Sequence, residues 1–161
     1  MREYYTEERT LAIKESQNYK DLLLVAWDIL EDMNDNFAPR PIAMLSGPIS
    51  TGGKSSRTEN LFVFSRAIQR VSAEGLIVFD QMPFEDDIGR IFKSDPTQQE
   101  LRLLEEFYLP IFKTGFISLM CFLPGWESSI GARWEREQAK KLKMPTLYLA
   151  ESYIVDKVAR C

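Results

Sequence analysis

Apolar residues along the chain follow two alternating patterns. After Thr6-Glu7-Glu8, a favourable helix start, Leu22, Leu23, Ala26 and Leu30 recur at helical spacing, which predicts one helix over 6–33. Two prolines between residues 34 and 41 break it. The run IAMLS at 42–46 is short, continuous and closed by Gly47-Pro48, as expected of a buried parallel strand entering a loop. A helix over 58–74 follows, capped by Thr58, with Leu61, Phe64, Ile68 and Val71 on one stripe. Gly75 ends it, and LIVF at 76–79 reads as a second buried strand closed by Asp80. The polar stretch 81–96 reads as loop. A third helix starts at Thr97, carries Leu101, Leu104 and Tyr108 on one side, and is kinked or ended by Pro110. Strands at 116–123 and 146–149 flank a helix running from Ser129 to Lys143, and the tail forms a short last helix.

Strands that are continuous apolar runs and alternate with helices predict an α/β fold. The expected form is a flavodoxin- or Rossmann-like three-layer sandwich, with four to five parallel strands. The helical extension 1–40 precedes that domain, which occupies 41–161. Ligands of such sheets sit beyond the carboxyl ends of the strands. Here those ends are 47–53, 80–84, 124–131 and Ala150, and three of them carry polar or glycine-rich loops.

Composition narrows the chemistry. A 161-residue chain that is 45% hydrophobic and 27% charged can bury one sizeable core. Net charge −4 and pI near 5.0 argue against binding a nucleic-acid polymer. The longest apolar run, 116–124, is about half a membrane span. The start MREYYTEERT has no apolar core, so no secretory signal and no membrane partner are expected. Cys121 and Cys161 do not suggest a disulfide framework, which predicts a reducing, cytoplasmic setting. The absence of histidine removes Ser–His and Cys–His nucleophile pairs and histidine metal sites. Acid–base work is left to Asp, Glu, Tyr, Lys or a bound metal.

Three segments carry candidate chemistry. The loop GPISTGGK at 47–54 joins a strand to a helix, and its glycines let backbone amides approach an anion. Counting back from Gly53-Lys54-Ser55, the first glycine of a P-loop would fall on Pro48, which has no N–H. A phosphate cradle of another type, or a plain flexible loop, is the alternative. The second segment, LPGWESSIGARWEREQA at 123–139, joins a strand to a helix through a Pro/Gly/Ser loop. It sets Glu135 in the helix's first two turns, where the dipole keeps a carboxylate ionised, as a nucleophile requires. A solvated glutamate beside Arg133 and Arg136 is the bland alternative. In the third, Asp80 stands at a ligand-facing position followed by Gln81, while Glu85, Asp86 and Asp87 read as a solvated acidic loop. Glu106 lies on the third helix, where it either faces the cleft or is one exposed charge among several. Trp126 and Trp134 could stack on a base or serve as core.

MLSGPISTGG, LIVFDQMPF and above all LPGWESSIGARWEREQA resemble the nucleoside deoxyribosyltransferase-like superfamily, more narrowly its bacterial and phage branch, over roughly 41–150. The resemblance implies cleavage of an N-glycosidic bond by a glutamate that attacks the anomeric carbon. A (Ser/Asp)-x-Gly-x-x-x-Glu motif carries that glutamate, here Ser129 through Glu135. Serine at 129, where the deoxyribosyltransferases have an acidic residue, is similar to the nucleotide N-hydrolases and suits a 5′-phosphate. Gly47, Ser50, Thr51, Gly52, Gly53, Ser129 and Gly131 are thereby implied in phosphate and sugar binding, with charge from Lys54 or Arg57. Gln81 and Trp126 are implied at the base, and Glu106 or Asp80 as the assisting acid. The resemblance implies neither metal nor cofactor, a small-molecule nucleotide or nucleoside as partner, and a homodimer or higher homo-oligomer. Two positions depart from the family. Its strand-one tyrosine aligns with Met44, and its helix aspartate falls on Phe107. Hydrolysis of a nucleoside 5′-monophosphate is therefore the first expectation, with base exchange and a non-catalytic nucleotide sensor as alternatives. A P-loop phosphotransferase is the most distant.

Overall fold

The computed structural model describes residues 2–54 and 56–155. A 3-10 turn, Arg2–Tyr4, leads into α1 (Glu7–Glu15) and α2 (Tyr19–Phe37), followed by β1 (Ile42–Ser46), α3 (Arg57–Ala73) and β2 (Ile77–Val78). A 3-10 turn, Met82–Phe84, then precedes α4 (Glu85–Ser94). The next helix is built of α5 (Glu100–Leu103), a π-helical turn (Leu104–Tyr108) and α6 (Leu109–Lys113). β3 (Ile117–Phe122), a 3-10 turn (Trp126–Ser128), α7 (Ile130–Lys141), β4 (Thr146–Tyr148) and a last 3-10 turn, Glu151–Tyr153, follow.

The four strands form one parallel sheet in the order β2-β1-β3-β4, as an α/β fold requires. All five residues of β1 are buried, as its apolar run predicts. β3 pairs with β4 in the register Met120–Thr146, Cys121–Leu147 and Phe122–Tyr148. β4 forms where a fourth strand was expected, with Leu147 and Tyr148 45% and 49% exposed. The strand order explains this, because β4 lies at the sheet edge. Cys121 is fully buried on β3, and burial pushes its thiol up to about 11.

The chain divides into two compact units, each discontinuous in sequence: Met1–Ile42 with Phe79–Ser118, and Ala43–Val78 with Leu119–Cys161. The N-terminal helices thus group with the segment after β2.

In the first unit, the single helix expected over 6–33 is two helices. The Asn18 side chain accepts from Asp21 N–H at 3.0 Å and caps α2, so the chain turns between Ser16 and Asn18 instead of continuing. α2 then runs through Asn34 to Phe37 and stops short of Pro39, later than expected. Its Leu22, Ala26, Ile29, Leu30 and Met33 are buried, and it packs on the π-turn and α6. The stretch expected as loop after Gln81 is largely α4. Glu85, Asp86 and Asp87 occupy its first turn, where the dipole favours them, and Ile88 and Ile91 bury its inner side. Thr97 does not start the next helix. Its N–H and hydroxyl both donate to Asp95 Oδ1, at 2.9 and 2.8 Å, and hold a turn ahead of Glu100. These bonds, with Arg102 nearby, hold the Asp95 carboxyl below its ordinary range. Pro110 neither ends nor visibly breaks the helix, because it follows directly on the wider π-turn and α6 continues to Lys113.

In the second unit Ser56, not Thr58, caps α3, its Oγ accepting from Glu59 N–H at 3.2 Å. Asn60, Phe64, Ala67, Ile68 and Val71 form the buried stripe of that helix. Of the expected tail helix, only the turn Glu151–Tyr153 is described, and Ser55 and Cys161 lie outside the described residues. Tyr153 donates to Glu74 at 2.6 Å and Arg70 to Ser152 O at 2.7 Å, which fastens that turn to α3. Among the described residues no helix is long and apolar enough to cross a membrane.

Candidate functional site

The glycine loop and the start of α7 are laced together in the second unit. Ser129, 4% exposed, is the N-cap of α7, and its Oγ accepts from Ala132 N–H at 3.2 Å. Thr51 Oγ1 accepts from Ile130 N–H at 2.9 Å, taking up another amide that the helix leaves without an internal acceptor. Ser128 Oγ accepts from Gly53 N–H at 2.9 Å and donates to Gly125 O at 2.6 Å. Each hydroxyl that only accepts, on Thr51 and Ser129, keeps its proton to offer an anion.

Glycine is required where this lacing is tightest. Gly52 has φ +70°, and a Cβ there would lie 2.3 Å from both the carbonyl oxygen and Oγ of Ser128. Gly47 abuts Leu123, whose Cβ would be 2.9 Å away from an added Cβ. Asn60, buried on α3, stiffens the loop from below. Its Nδ2 donates to Ile49 O and Gly52 O, at 2.9 and 3.0 Å, and its Oδ1 accepts from Lys54 N–H at 2.7 Å. Pro48, Gly53, Lys54, Asn60 and Gly125 also border a cleft of about 190 Å³. Val63, Leu123, Pro124, Glu151 and Ile154 complete its lining, which does not include Thr51, Ser129 or Glu135.

Glu135 lies in the second turn of α7. It stands three residues after buried Ala132 and four before buried Ala139, on the helix's inward stripe. The residue is half-buried, with Oε2 shielded from solvent. Arg133 donates to Glu127 O at 2.9 Å and Arg136 to the Tyr148 hydroxyl. The Glu135 carboxylate is thus on the side of α7 that carries the buried alanines.

The second unit thus brings Gly47, Thr51, Gly52, Gly53, Ser129, Gly131 and Glu135 onto two facing segments. Gly131 stands in the first turn of α7, where no intrahelical acceptor exists for its N–H. Ser50 is exposed, as are Lys54 and Arg57. Trp126, expected against a base, packs instead on Phe122 and Tyr148, with ring centroids 5.4 and 5.9 Å apart.

The remaining predicted residues lie in the first unit. Asp80 lies two residues after the end of β2, and its Oδ1 accepts from Met82 N–H at 2.9 Å. Gln81 is 2% exposed. Glu106 accepts from Arg102 with both oxygens, at 2.9 and 3.4 Å, and Arg102 also pairs with Asp95 at 2.8 Å. Phe107, at the family's aspartate position, is fully buried between Phe84 and Tyr108, with centroids at 5.5 and 5.0 Å.

Four residues escaped the sequence reading. Asn60 sits four before Phe64 on a buried stripe, a signal that was available. Ser128 reads as an ordinary loop serine. Glu85, taken for a solvated acid, is 5% exposed, with the Tyr108 hydroxyl 3.5 Å from its Oε1. Tyr5, from the N-terminal segment, donates to the Asp80 carbonyl. Among the described residues no group of three Cys, Asp or Glu side chains is placed to hold a metal ion. Comparison with protein-family models, curated proteins and solved structures gives no match.

Proposed function

We propose that this protein hydrolyses the N-glycosidic bond of a nucleoside 5′-monophosphate through a covalent glycosyl–Glu135 intermediate. One observation carries the reading. Glu135 lies on the inward stripe of α7, and the N-terminus of that helix is capped by Ser129 and laced to the glycine loop through Thr51. A phosphate held by the Thr51 and Ser129 hydroxyls and first-turn amides would meet positive partial charge. Serine at 129 suits the dianion, whereas a carboxylate would repel it.

In the first step a Glu135 carboxylate oxygen bonds to the anomeric carbon as the carbon–nitrogen bond breaks. The bonding pair leaves with the base, which takes up a proton. In the second step water displaces Glu135 from the anomeric carbon, giving the free sugar phosphate and the ionised glutamate. An oxocarbenium-like charge develops in both steps, and an ionised carboxylate stabilises it. Of the two carboxyls considered for the proton to the base, Glu106 is engaged by Arg102 through both oxygens. Asp80, the other, accepts from Met82 N–H through Oδ1.

A second reading, a nucleotide sensor, is favoured by Phe107. An aromatic core residue occupies the position where the resemblance implies an acid. Incubation with a panel of nucleoside 5′-monophosphates separates the two. The hydrolase releases free base and loses at least a thousandfold in rate on Glu135→Ala. Tight binding without turnover, retained by Glu135→Ala, supports the sensor. Equal release by Glu135→Ala refutes the mechanism.

A further inference from the structure

Helix α2 carries two different faces. Leu22, Ala26, Ile29, Leu30 and Met33 are buried on one side. On the other, Lys20, Leu24, Trp27 and Glu31 follow one another at helical spacing and form a single stripe. Leu24 is 66% exposed and Trp27 42%. Single exposed apolar residues are ordinary on a protein surface. Here a leucine and a tryptophan stand together, and keeping such large apolar groups in water is costly.

The charges flanking this pair are exposed too, and neither Lys20 nor Glu31 has an ion-pair partner among the described residues. Asp28 and Asp32 on the same helix differ, because Arg9 of α1 takes both. α1 thus engages one flank of α2 and leaves the stripe open.

The order of the four residues gives the stripe a symmetry. Lys20 and Glu31 lie equally far along the helix from a point between Val25 and Ala26, and so do Leu24 and Trp27. A second α2, laid antiparallel about a two-fold axis at that point, sets Lys20 beside Glu31 of the partner subunit at both ends. Between these ends Leu24 packs beside Trp27 of the partner subunit, twice. Paired helices approach to about 8–10 Å, within reach of these side chains. Parallel pairing in register would oppose like charges at each end.

We propose that the outward stripe of α2 is the surface through which two copies of this chain associate. The contact is isologous and closed, so association stops at the dimer. A lipid surface fits the stripe less well. α2 carries one lysine against five carboxylates, Asp21, Asp28, Glu31, Asp32 and Asp35, which an anionic bilayer repels. α2 also lies outside the stretch that carries the family resemblance, and the surface stands or falls independently of the hydrolase reading. One helix pair is a small interface, below the ~1,200 Å² of standard complexes, so the dimer dissociates at roughly tens of micromolar.

Sedimentation velocity of the full chain, run from about one to several hundred micromolar, reads the association. Wild-type protein is expected to pass from monomer to dimer over that range. Lys20→Glu alone, or Glu31→Lys alone, makes both end pairs repulsive and should weaken the dimer about tenfold. An equimolar mixture of the two variants restores opposite charges at both ends, and should regain wild-type association as a heterodimer. Circular dichroism checks that both variants remain folded, as substitution at exposed helix positions allows. A wild-type chain that stays monomeric throughout overturns the proposal. So does a dimer that neither reversal weakens, because it uses another surface. Two weakened variants whose mixture stays monomeric overturn the antiparallel pairing. A monomeric wild type that floats with phosphatidylcholine–phosphatidylglycerol vesicles, and a Trp27→Ser variant that does not, assign the stripe to a membrane instead.

Discussion

Gly52→Ala is the sharpest perturbation of the loop-to-helix lacing. At φ +70° an alanine carries a left-handed strain of about 1 kcal/mol. Its Cβ would also lie 2.3 Å from the Ser128 carbonyl oxygen and 2.4 Å from its carbonyl carbon. These are backbone atoms and cannot swing aside, so loop and helix start must separate by about an ångström. That separation breaks the Gly53–Ser128 and Thr51–Ile130 hydrogen bonds, now at 2.9 Å each. At about 1 kcal/mol each, with the strain, re-closing the loop on a ligand costs about 3 kcal/mol, or roughly a hundredfold in affinity. Global stability falls by only about 1 kcal/mol, because an exposed loop regains conformational freedom on opening. Calorimetric titration with a nucleoside 5′-monophosphate and with inorganic phosphate, alongside urea unfolding, measures both. Gly125→Ala is the control. Its φ of +83° imposes the same strain but nothing lies within 4 Å, so affinity stays within a few-fold. Wild-type affinity in Gly52→Ala would refute a ligand site closed by this loop.

Other consequences follow from single contacts. Thr51→Val removes the acceptor of Ile130 N–H at constant shape, and titration is expected to show five- to tenfold weaker monophosphate binding, restored by Thr51→Ser. Tyr5 has a raised folded-state value, so its stabilisation is complete below 10.0 and lost as pH climbs above that. Urea midpoints for wild type and Tyr5→Phe should therefore converge in the alkaline range, and parallel curves would contradict the burial of the phenol. Gly89→Ala, inside α4 with nothing within 4 Å of the added Cβ, should raise stability by about 0.5–1 kcal/mol in the same assay.

What the sequence revealed depended on how local the determining physics is. β1 was legible to the residue because five consecutive buried positions between Pro41 and Gly47 admit little else. The α7 start was equally legible: Ser129 caps it, and Glu135 falls between Ala132 and Ala139 on the buried stripe. α4 was missed because Glu85-Asp86-Asp87 looks like a loop by polarity, while their favourable place on a helix dipole only counts once the helix exists. The break at Ser16–Asn18 was missed because Asn18 competes with an intact hydrophobic period and wins through capping. Trp126 could not be assigned between ligand and core without the partners that β3 and β4 supply, Phe122 and Tyr148. Tyr5 was invisible for the strongest reason: its partner, Asp80, lies 75 residues away.

The central claim is a covalent bond to Glu135, and mass spectrometry of rapidly quenched reactions tests it most directly. With a nucleoside 5′-monophosphate whose sugar carries a 2-fluoro substituent to slow the second step, wild-type protein should gain the mass of the sugar phosphate. Proteolysis should then place that mass on the peptide containing Glu135, with none on Glu135→Ala. Release of base by wild-type protein with no adduct, or an adduct that survives in Glu135→Ala, would contradict the account.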